Sequence, residues 1–258
     1  MRTLALLALA GFILLPLVQA VILSFTATLP GQEIAQGTVG LMNYRAVLAT
    51  PDLRAAMVNS AVYVSLNVAL SIGFALPAAY ALARYRFTGD RHFLLAILVF
   101  RVTPPVVLSL PIFILFSQFG LVNSPVGIAL VHCLFNLPVA IWILESFIRA
   151  VPREFDETAF LDGHSGPSFF FRHLIPQIAP GIGVAAFFCF IFSWVEVVFA
   201  RILTVTGGKP ITMAIQAMFS FRTDIGMVMA MTCLSLLPGV AMIWFVRGHL
   251  ARGFTLRA

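Results

Sequence analysis

The segment Asp156–Pro176, DETAFLDGHSGPSFFFRHLIP, is a polar and glycine-bearing interruption between two long apolar runs. Its acidic first residues favour the start of a helix through the helix dipole, and Gly163 can take the left-handed conformation that ends one. Ser165 or Gly166 can begin a second helix that has Pro167 in its first turn. The segment therefore predicts two short helices at the surface of an otherwise apolar chain.

The rest of the chain has the composition of a membrane protein. Of its 258 residues, 60% are hydrophobic and 10% are charged, whereas a soluble domain has about 25% charged residues. About 20 apolar residues of helix cross a bilayer, because lipid offers no partner for unpaired backbone groups. We therefore predict an all-α polytopic membrane fold with six transmembrane helices. They lie near Leu4–Leu23, Ala55–Ala83, Phe93–Phe116, Pro125–Phe147, Ile178–Leu203 and Gly226–Val246.

The first apolar segment has two interpretations. Arg2 precedes an apolar run that ends in Val18-Gln19-Ala20, and this pattern is typical of a cleavable signal peptide. The run is longer than a usual signal core, which favours an uncleaved first span. Removal of residues 1–20 stays the alternative.

The net charge of +6 is better explained by orientation in a bilayer than by nucleic-acid binding, because the arginines lie beside apolar segments. With the N-terminus inside, most basic residues fall on the cytoplasmic side, as the positive-inside rule requires. Both termini and the segment Asp156–Pro176 are then predicted to be cytoplasmic. The basic residues placed inside are Arg2, Arg84, Arg86, Arg91, Arg149, Arg153, Arg172, Arg247, Arg252 and Arg257; those placed outside are Arg45, Arg54, Lys209 and Arg222, with Arg201 near the outer end of the fifth span.

The surface segment resembles the E-A-A-x-x-x-G-x(9)-I-x-L-P loop of ABC importer permeases, the inner-membrane subunits of binding-protein-dependent transport systems. Glu157, Ala159, Gly163 and Pro176 stand at the motif positions with the family's spacing. The chain departs from the motif at Thr158, at His173 in place of Ile, and at Ile175 in place of Leu.

Two further stretches are similar to the carbohydrate-uptake branch of this family, whose members are similar to the second permease of maltose importers. They are RVTPPVVLSLPIFILFSQFGLVNS at 101–124 and the ending HLARGFTLRA. The resemblance implies a type I importer permease fold in one transmembrane domain, residues 1–258. It also implies a cytoplasmic coupling loop at 149–176 and a cytoplasmic tail at 247–258.

The resemblance implies partners as well. They are a second homologous permease, two ATP-binding subunits that hold ATP and Mg, and an extracytoplasmic solute-binding protein at a bacterial inner membrane. The chain itself has no G-x-x-x-x-G-K-[ST] phosphate loop, so a partner must hydrolyse the nucleotide. No catalytic residue, metal, cofactor or nucleic acid is expected for this chain; its other partner is the lipid bilayer.

In this family the loop receives motion from the ATPase. The resemblance therefore implies a coupling role for the residues of this chain that stand at the motif positions, and for the apolar residues beside them. Glu157 could instead be a solvated acid in the first turn of its helix. The whole segment could instead be an interfacial loop that dips into the lipid headgroups. The expected coupling residues are Glu157, Ala159, Phe160, Leu161, Gly163, Phe169 and Pro176.

Two other segments have implied contacts with partners. The outer loop Thr204–Ala214 is similar in position to a loop that enters the binding protein, although a simple turn would have the same composition. The tail is similar to one that reaches the ATPase, with a frayed basic end as the alternative. The expected residues are Gly207, Gly208 and Lys209 in the outer loop, and Arg252, Gly253, Phe254 and Thr255 in the tail.

Polar residues inside apolar spans are costly and tend to face a cavity, so they are candidates for the translocation path. Glu145 is excluded because Arg149, four residues later, can pair with it. His132 is interpreted as a packed histidine rather than a proton carrier. The candidates are Arg101, Asn67, Asn136 and Glu196, together with Pro104, which is expected to break its helix.

The sequence favours a transport subunit for a sugar or polyol, with a glycerol-like solute suggested by TVTGGKPITMAIQAMFSF at 204–221. An ion-coupled transporter with Glu196 as carrier and an intramembrane enzyme using His132, Glu196 or a serine are the alternatives. No G-x-S-x-G or H-E-x-x-H signature supports the enzyme.

Overall fold

The computed structural model describes residues 2–26, 39–86, 89–221 and 224–255, and they are almost entirely helical. Residues Phe170–Leu174 form a π-helical turn. The helices are α1 (Arg2–Phe25), α2 (Met42–Ala49), α3 (Pro51–Arg84), α4 (Asp90–Val102), α5 (Pro105–Gln118), α6 (Pro125–Ala150), α7 (Arg153–Leu161), α8 (Gly166–Gln177), α9 (Ala179–Trp194), α10 (Val198–Leu203), α11 (Ile211–Phe221) and α12 (Ile225–Thr255).

Among the described residues, four helices are long and apolar enough to cross a membrane, namely α1, α3, α6 and α12. A fifth candidate is the pair α8 and α9, which is bent by 79°. This agrees with a polytopic all-α membrane protein.

Two of the six predicted spans are not single helices. The third, Phe93–Phe116, is broken into α4 and α5 at Pro104, which has no N–H to donate and restricts the residue before it. The fifth, Ile178–Leu203, is broken into α9 and α10 at residues 195–197. Each of these two predicted spans is therefore made of two helices, and the break at Pro104 was expected from the sequence.

The chain divides into two compact units, residues 1–60 with 208–240 and residues 61–207 with 241–258. In the first unit, Asn43 of α2 donates from Nδ2 to the carbonyl oxygens of Ser24 and Thr26, each at 2.9 Å. A Cβ at Gly226 would lie 2.5 Å from that Nδ2, so glycine is needed where α12 passes α2. Residues 27–38 lie outside the described residues.

In the second unit α6 is central, since most of its apolar stretch is buried and it packs against α4, α9 and α10. One apolar cluster joins α3 and α6 to α7 and α8 through side chains such as Leu144, Phe169 and Leu174. The predicted pair of Glu145 and Arg149 forms on α6 and is confirmed. The surface segment is therefore packed on the ends of spanning helices.

Candidate functional site

The loop 149–176 contains the two helices that the sequence predicted, α7 and α8, with Gly163 between them. Gly163 has φ +82°, the left-handed conformation expected at a helix end. Its N–H donates to the carbonyl of Phe160 at 3.0 Å, and that of His164 donates to the carbonyl of Ala159 at 3.1 Å. This pair of bonds is the Schellman motif, which turns the chain sharply after α7.

Asp156 anchors α7 to the end of α3. Its two carboxylate oxygens accept from Nε and Nη2 of Arg84 at 2.7 and 2.8 Å, and the hydroxyl of Tyr80 donates to Oδ2 at 3.1 Å. Arg84 also donates from Nη1 to the carbonyl of Val151 at 3.0 Å. The side chains of Arg84 and Asp156 are 7% and 9% exposed. This buried bidentate pair fixes the position of the loop, and sequence reasoning missed it.

The loop buries one set of predicted residues and exposes another. Ala159 and Phe169 are 7% and 1% exposed, and the ring of Phe169 packs against Tyr80. The rings of Tyr80, Phe155 and Phe160 surround Phe169, so its contact with a partner stays a prediction. The exposed positions are Glu157, Gly163 and Pro176, with Phe160 at 47% and Leu161 at 87%.

His173, which departs from the family motif, lies inside the loop. Its ring centroid is 4.5 Å from that of His164 and 6.4 Å from that of Phe169. Its Nε2 atom is buried and has no hydrogen-bond partner among the described residues. The departure therefore places an unsatisfied polar atom where the family has an aliphatic side chain.

A second candidate site lies where the breaks in two predicted spans meet. Three of the predicted path residues, Arg101, Asn136 and Glu196, line one small cavity of about 30 Å3 together with His132. The guanidinium of Arg101 stands 4.3 Å from the ring centroid of Phe192. Pro104 lies at the break as the N-cap residue of α5.

Glu196 holds the break between α9 and α10. Its carboxylate accepts from the N–H groups of Phe199 at 2.9 Å and Ala200 at 3.1 Å, which caps α10. The same carboxylate is 3.2 Å from Nε2 of His132, whose Nδ1 is 2.6 Å from the hydroxyl of Ser193. His132 is therefore a buried histidine with contacts at both ring nitrogens, and the role of Ser193 was missed because the two lie 61 positions apart.

Asn67 does not line this cavity. It is fully buried, and its Nδ2 donates to the carbonyl of Cys189 at 3.1 Å. The Nδ2 atom of Asn136 donates to Oδ1 of Asn67 and to the same carbonyl, both at 3.3 Å. This network links α3, α6 and α9, and it is the physical reason for a polar side chain at Asn67.

The outer loop Thr204–Ala214 is fully described, whereas the tail is described only in part. Gly207 is exposed, Gly208 has φ +73°, and the carbonyl of Lys209 accepts from Nδ2 of Asn59 at 3.3 Å. The predicted tail residues 252–255 fall in the last turns of α12, and their side chains lie outside the described residues.

Residues 71–252 match the family of binding-protein-dependent transport system inner membrane components. The chain belongs to this family. A multi-pass inner-membrane transport component is therefore established, which decides against the intramembrane enzyme and the ion-coupled carrier.

Relatives of full length support the assignment. The probable ABC transporter permease protein y4oR of Sinorhizobium fredii is 31% identical over 90% of this chain and 83% of the relative. The trehalose transport system permease protein SugB of Mycobacterium tuberculosis is 28% identical over 95% and 92%. The trehalose/maltose transport system permease protein MalG of Thermococcus litoralis is 27% identical over 95% and 91%.

The fold of the family is also matched by a solved structure. A bacterial ABC transporter involved in the import of the acidic polysaccharide alginate superposes with a TM-score of 0.76 at 19% identity, over 96% of this chain and 94% of that one. At this identity the likeness establishes the importer permease fold and nothing about the solute.

Proposed function

We propose that this family member is the permease subunit of an ATP-driven importer for a sugar, with separate ATP-binding subunits that move it through the loop Glu157–Gly163. The observation that carries the proposal is the build of the loop. Its base is fixed by the buried pair of Asp156 and Arg84, while its tip presents Leu161 to solvent at 87% exposure. A rigid base with an exposed apolar tip is what a protein needs in order to receive motion from a partner.

The permease has no energy source of its own, so alternating access needs a partner that binds one conformation better than the other. Two ATP-binding subunits with ATP and Mg supply this difference, and Glu157 pairs with a basic group on one of them. The exposed side chains of Phe160 and Leu161 supply apolar contact area. The tail Arg252–Thr255 adds a further contact with the same subunits.

The complete crossing pattern is part of this proposal. The chain crosses the membrane six times, with both termini and the loop 149–176 in the cytoplasm. The third crossing is made by α4 and α5 together, and the fifth by α9 and α10. A second homologous permease completes the pore, and the extracytoplasmic binding protein touches Gly207–Lys209.

The solute moves through the cavity that lies between the break at Pro104 and the break at residues 195–197. Its volume of about 30 Å3 leaves room for little more than ordered water, so this conformation is closed to a sugar there. Arg101, Asn136 and Glu196 supply hydrogen-bonding groups for hydroxyls when the cavity opens. The trehalose and maltose systems named among the relatives favour a disaccharide over the polyol that the sequence suggested.

Replacement of Gly163 by leucine tests the coupling role. Because φ is +82° there and an added Cβ meets no atom within 4 Å, the side chain strains the turn without a clash. We expect Gly163→Leu to insert and to bind ATP-binding subunits, but to lose binding-protein-stimulated ATPase activity in proteoliposomes by tenfold or more. Gly120→Leu is the matched control, since Gly120 has φ +66° and equal space.

Equal losses in the two glycine variants would mean that strain alone, not the loop, explains the effect. Sugar uptake that persists after the ATPase is inactivated would contradict the importer as a whole.

A further inference from the structure

An apolar cavity of about 590 Å3 lies between the last turns of α3 and the helix α8. Its lining is almost entirely apolar and rich in aromatic rings. Two of the aromatic side chains, Tyr85 and Phe171, are 63% and 66% exposed. The walls include Gly73, Pro77, Tyr80, Tyr85, Phe171 and Ile175.

The cavity spans the boundary between hydrocarbon and headgroups. The apolar stretch of α3, Ala55–Ala83, is centred near residue 69, and about 20 residues of helix cross the hydrocarbon core. Gly73 and Pro77 then lie at hydrocarbon depth, whereas Tyr80 and Tyr85 lie at headgroup depth, where tyrosines are enriched. An apolar lining at this depth suits an acyl chain that enters from the bilayer.

Two arginines adjoin residues of the headgroup end of the cavity in the sequence. Arg86 follows Tyr85 and Arg172 follows Phe171 in the chain, and both arginines are exposed. Arg84, by contrast, is already paired with Asp156. Two exposed arginines next to the cavity-lining residues are suited to the phosphate of an anionic lipid.

We propose that this cavity binds one anionic phospholipid, with an acyl chain along α3 and its phosphate beside Arg86 and Arg172. The lipid fills the space between α3 and α8, and it supports the loop from the membrane side. The inference goes beyond the coupling role, because binding of the lipid can be measured without transport.

The test is retention of lipid by the assembled transporter. The complex is purified from nanodiscs of equal parts phosphatidylglycerol and phosphatidylcholine, and bound lipid is identified by native mass spectrometry. We expect one retained phosphatidylglycerol per copy of this chain. Gly73→Leu places a side chain in the open space beside Gly73 and should remove that lipid; Gly11→Leu, at another helical glycine with open space, should keep it.

The charge is tested by the double variant Arg86→Gln with Arg172→Gln. It should lose the preference for phosphatidylglycerol by on the order of tenfold, whereas Arg153→Gln, at an exposed arginine of the same loop, should keep it. Equal lipid retention by Gly73→Leu and Gly11→Leu would overturn the proposal. So would equal retention of the two lipids by the unchanged protein, or release of the lipid when ATP-binding subunits assemble, because a partner side chain would then occupy the cavity.

Discussion

His173 departs from the family motif, and this departure is expected to lower the stability of the fold. A buried polar atom without a partner costs about 1–3 kcal/mol, whereas an apolar side chain of similar size costs nothing of this kind. The Nε2 atom of His173 is such an atom among the described residues. Its neighbours are the rings of His164 and Phe169, so the surroundings are suited to an aliphatic side chain.

We expect His173→Ile, which restores the family residue, to raise the free energy of unfolding by about 1 kcal/mol or more. Thermal unfolding of the purified chain in one detergent measures the change. His92→Ile is the control, because His92 is exposed and should shift stability by less than about 0.5 kcal/mol. A loss of stability in His173→Ile would mean that Nε2 is satisfied by a group such as bound water.

At the scale of elements, α7 is held by a charge pair that no local pattern reveals. Gly163 could be predicted because the stop of a helix depends on neighbouring residues. Asp156 was assigned to the helix dipole, but its partner Arg84 lies 72 positions away and is brought near only by packing. A contact of this kind depends on how α3 and α7 meet, and a single sequence does not show that.

Asp156→Asn removes the charge and leaves Arg84 buried without a counter-ion. Breaking a buried pair in this way costs about 3–5 kcal/mol. We therefore expect the amides of α7 to exchange hydrogen much faster, while the apolar spans keep their protection.

Glu157→Gln is the matched variant for this measurement, since it removes the neighbouring charge at an exposed position. It should leave hydrogen exchange unchanged but reduce binding of the ATP-binding subunits. If the two variants change exchange in α7 equally, the pair of Asp156 and Arg84 does not anchor the loop.

The same contrast between local and distant causes explains the broken spans. The break at Pro104 follows from the chemistry of proline and was expected from the sequence. The break at residues 195–197 has neither proline nor glycine, since the local sequence is SWVEVVFA. It is fixed by Glu196, which caps α10 and contacts His132 on α6. The sequence therefore predicted the polar residues Arg101, Asn136 and Glu196, but not that they line one cavity.

For the whole molecule, hydropathy predicted a polytopic helical protein. The number of crossings, however, depends on the short helices into which two predicted spans are broken. α4 has 13 residues and α5 has 14, so each is about 20 Å long against a hydrocarbon core of about 30 Å. Neither helix crosses alone, but the two together are long enough. The six-crossing pattern therefore requires that residues on either side of this pair face opposite compartments.

Cysteine labelling of intact cells tests this requirement. The native Cys133 and Cys189 are buried, and Cys233 is replaced by alanine. Cysteines are then introduced singly at Arg86, before α4, and at Phe119, after α5, both of which are exposed. We expect an impermeant maleimide to label Phe119→Cys in intact spheroplasts and Arg86→Cys only after permeabilisation.

A cysteine at Leu161 provides the internal reference, since its side chain is 87% exposed on the proposed cytoplasmic loop. It should behave like Arg86→Cys if that loop faces the ATP-binding subunits. Labelling of Phe119→Cys only after permeabilisation would mean that α4 and α5 enter and leave on one side. The crossings after α5 would then have to be recounted, and the loop would be cytoplasmic only if Leu161→Cys is still protected in intact cells.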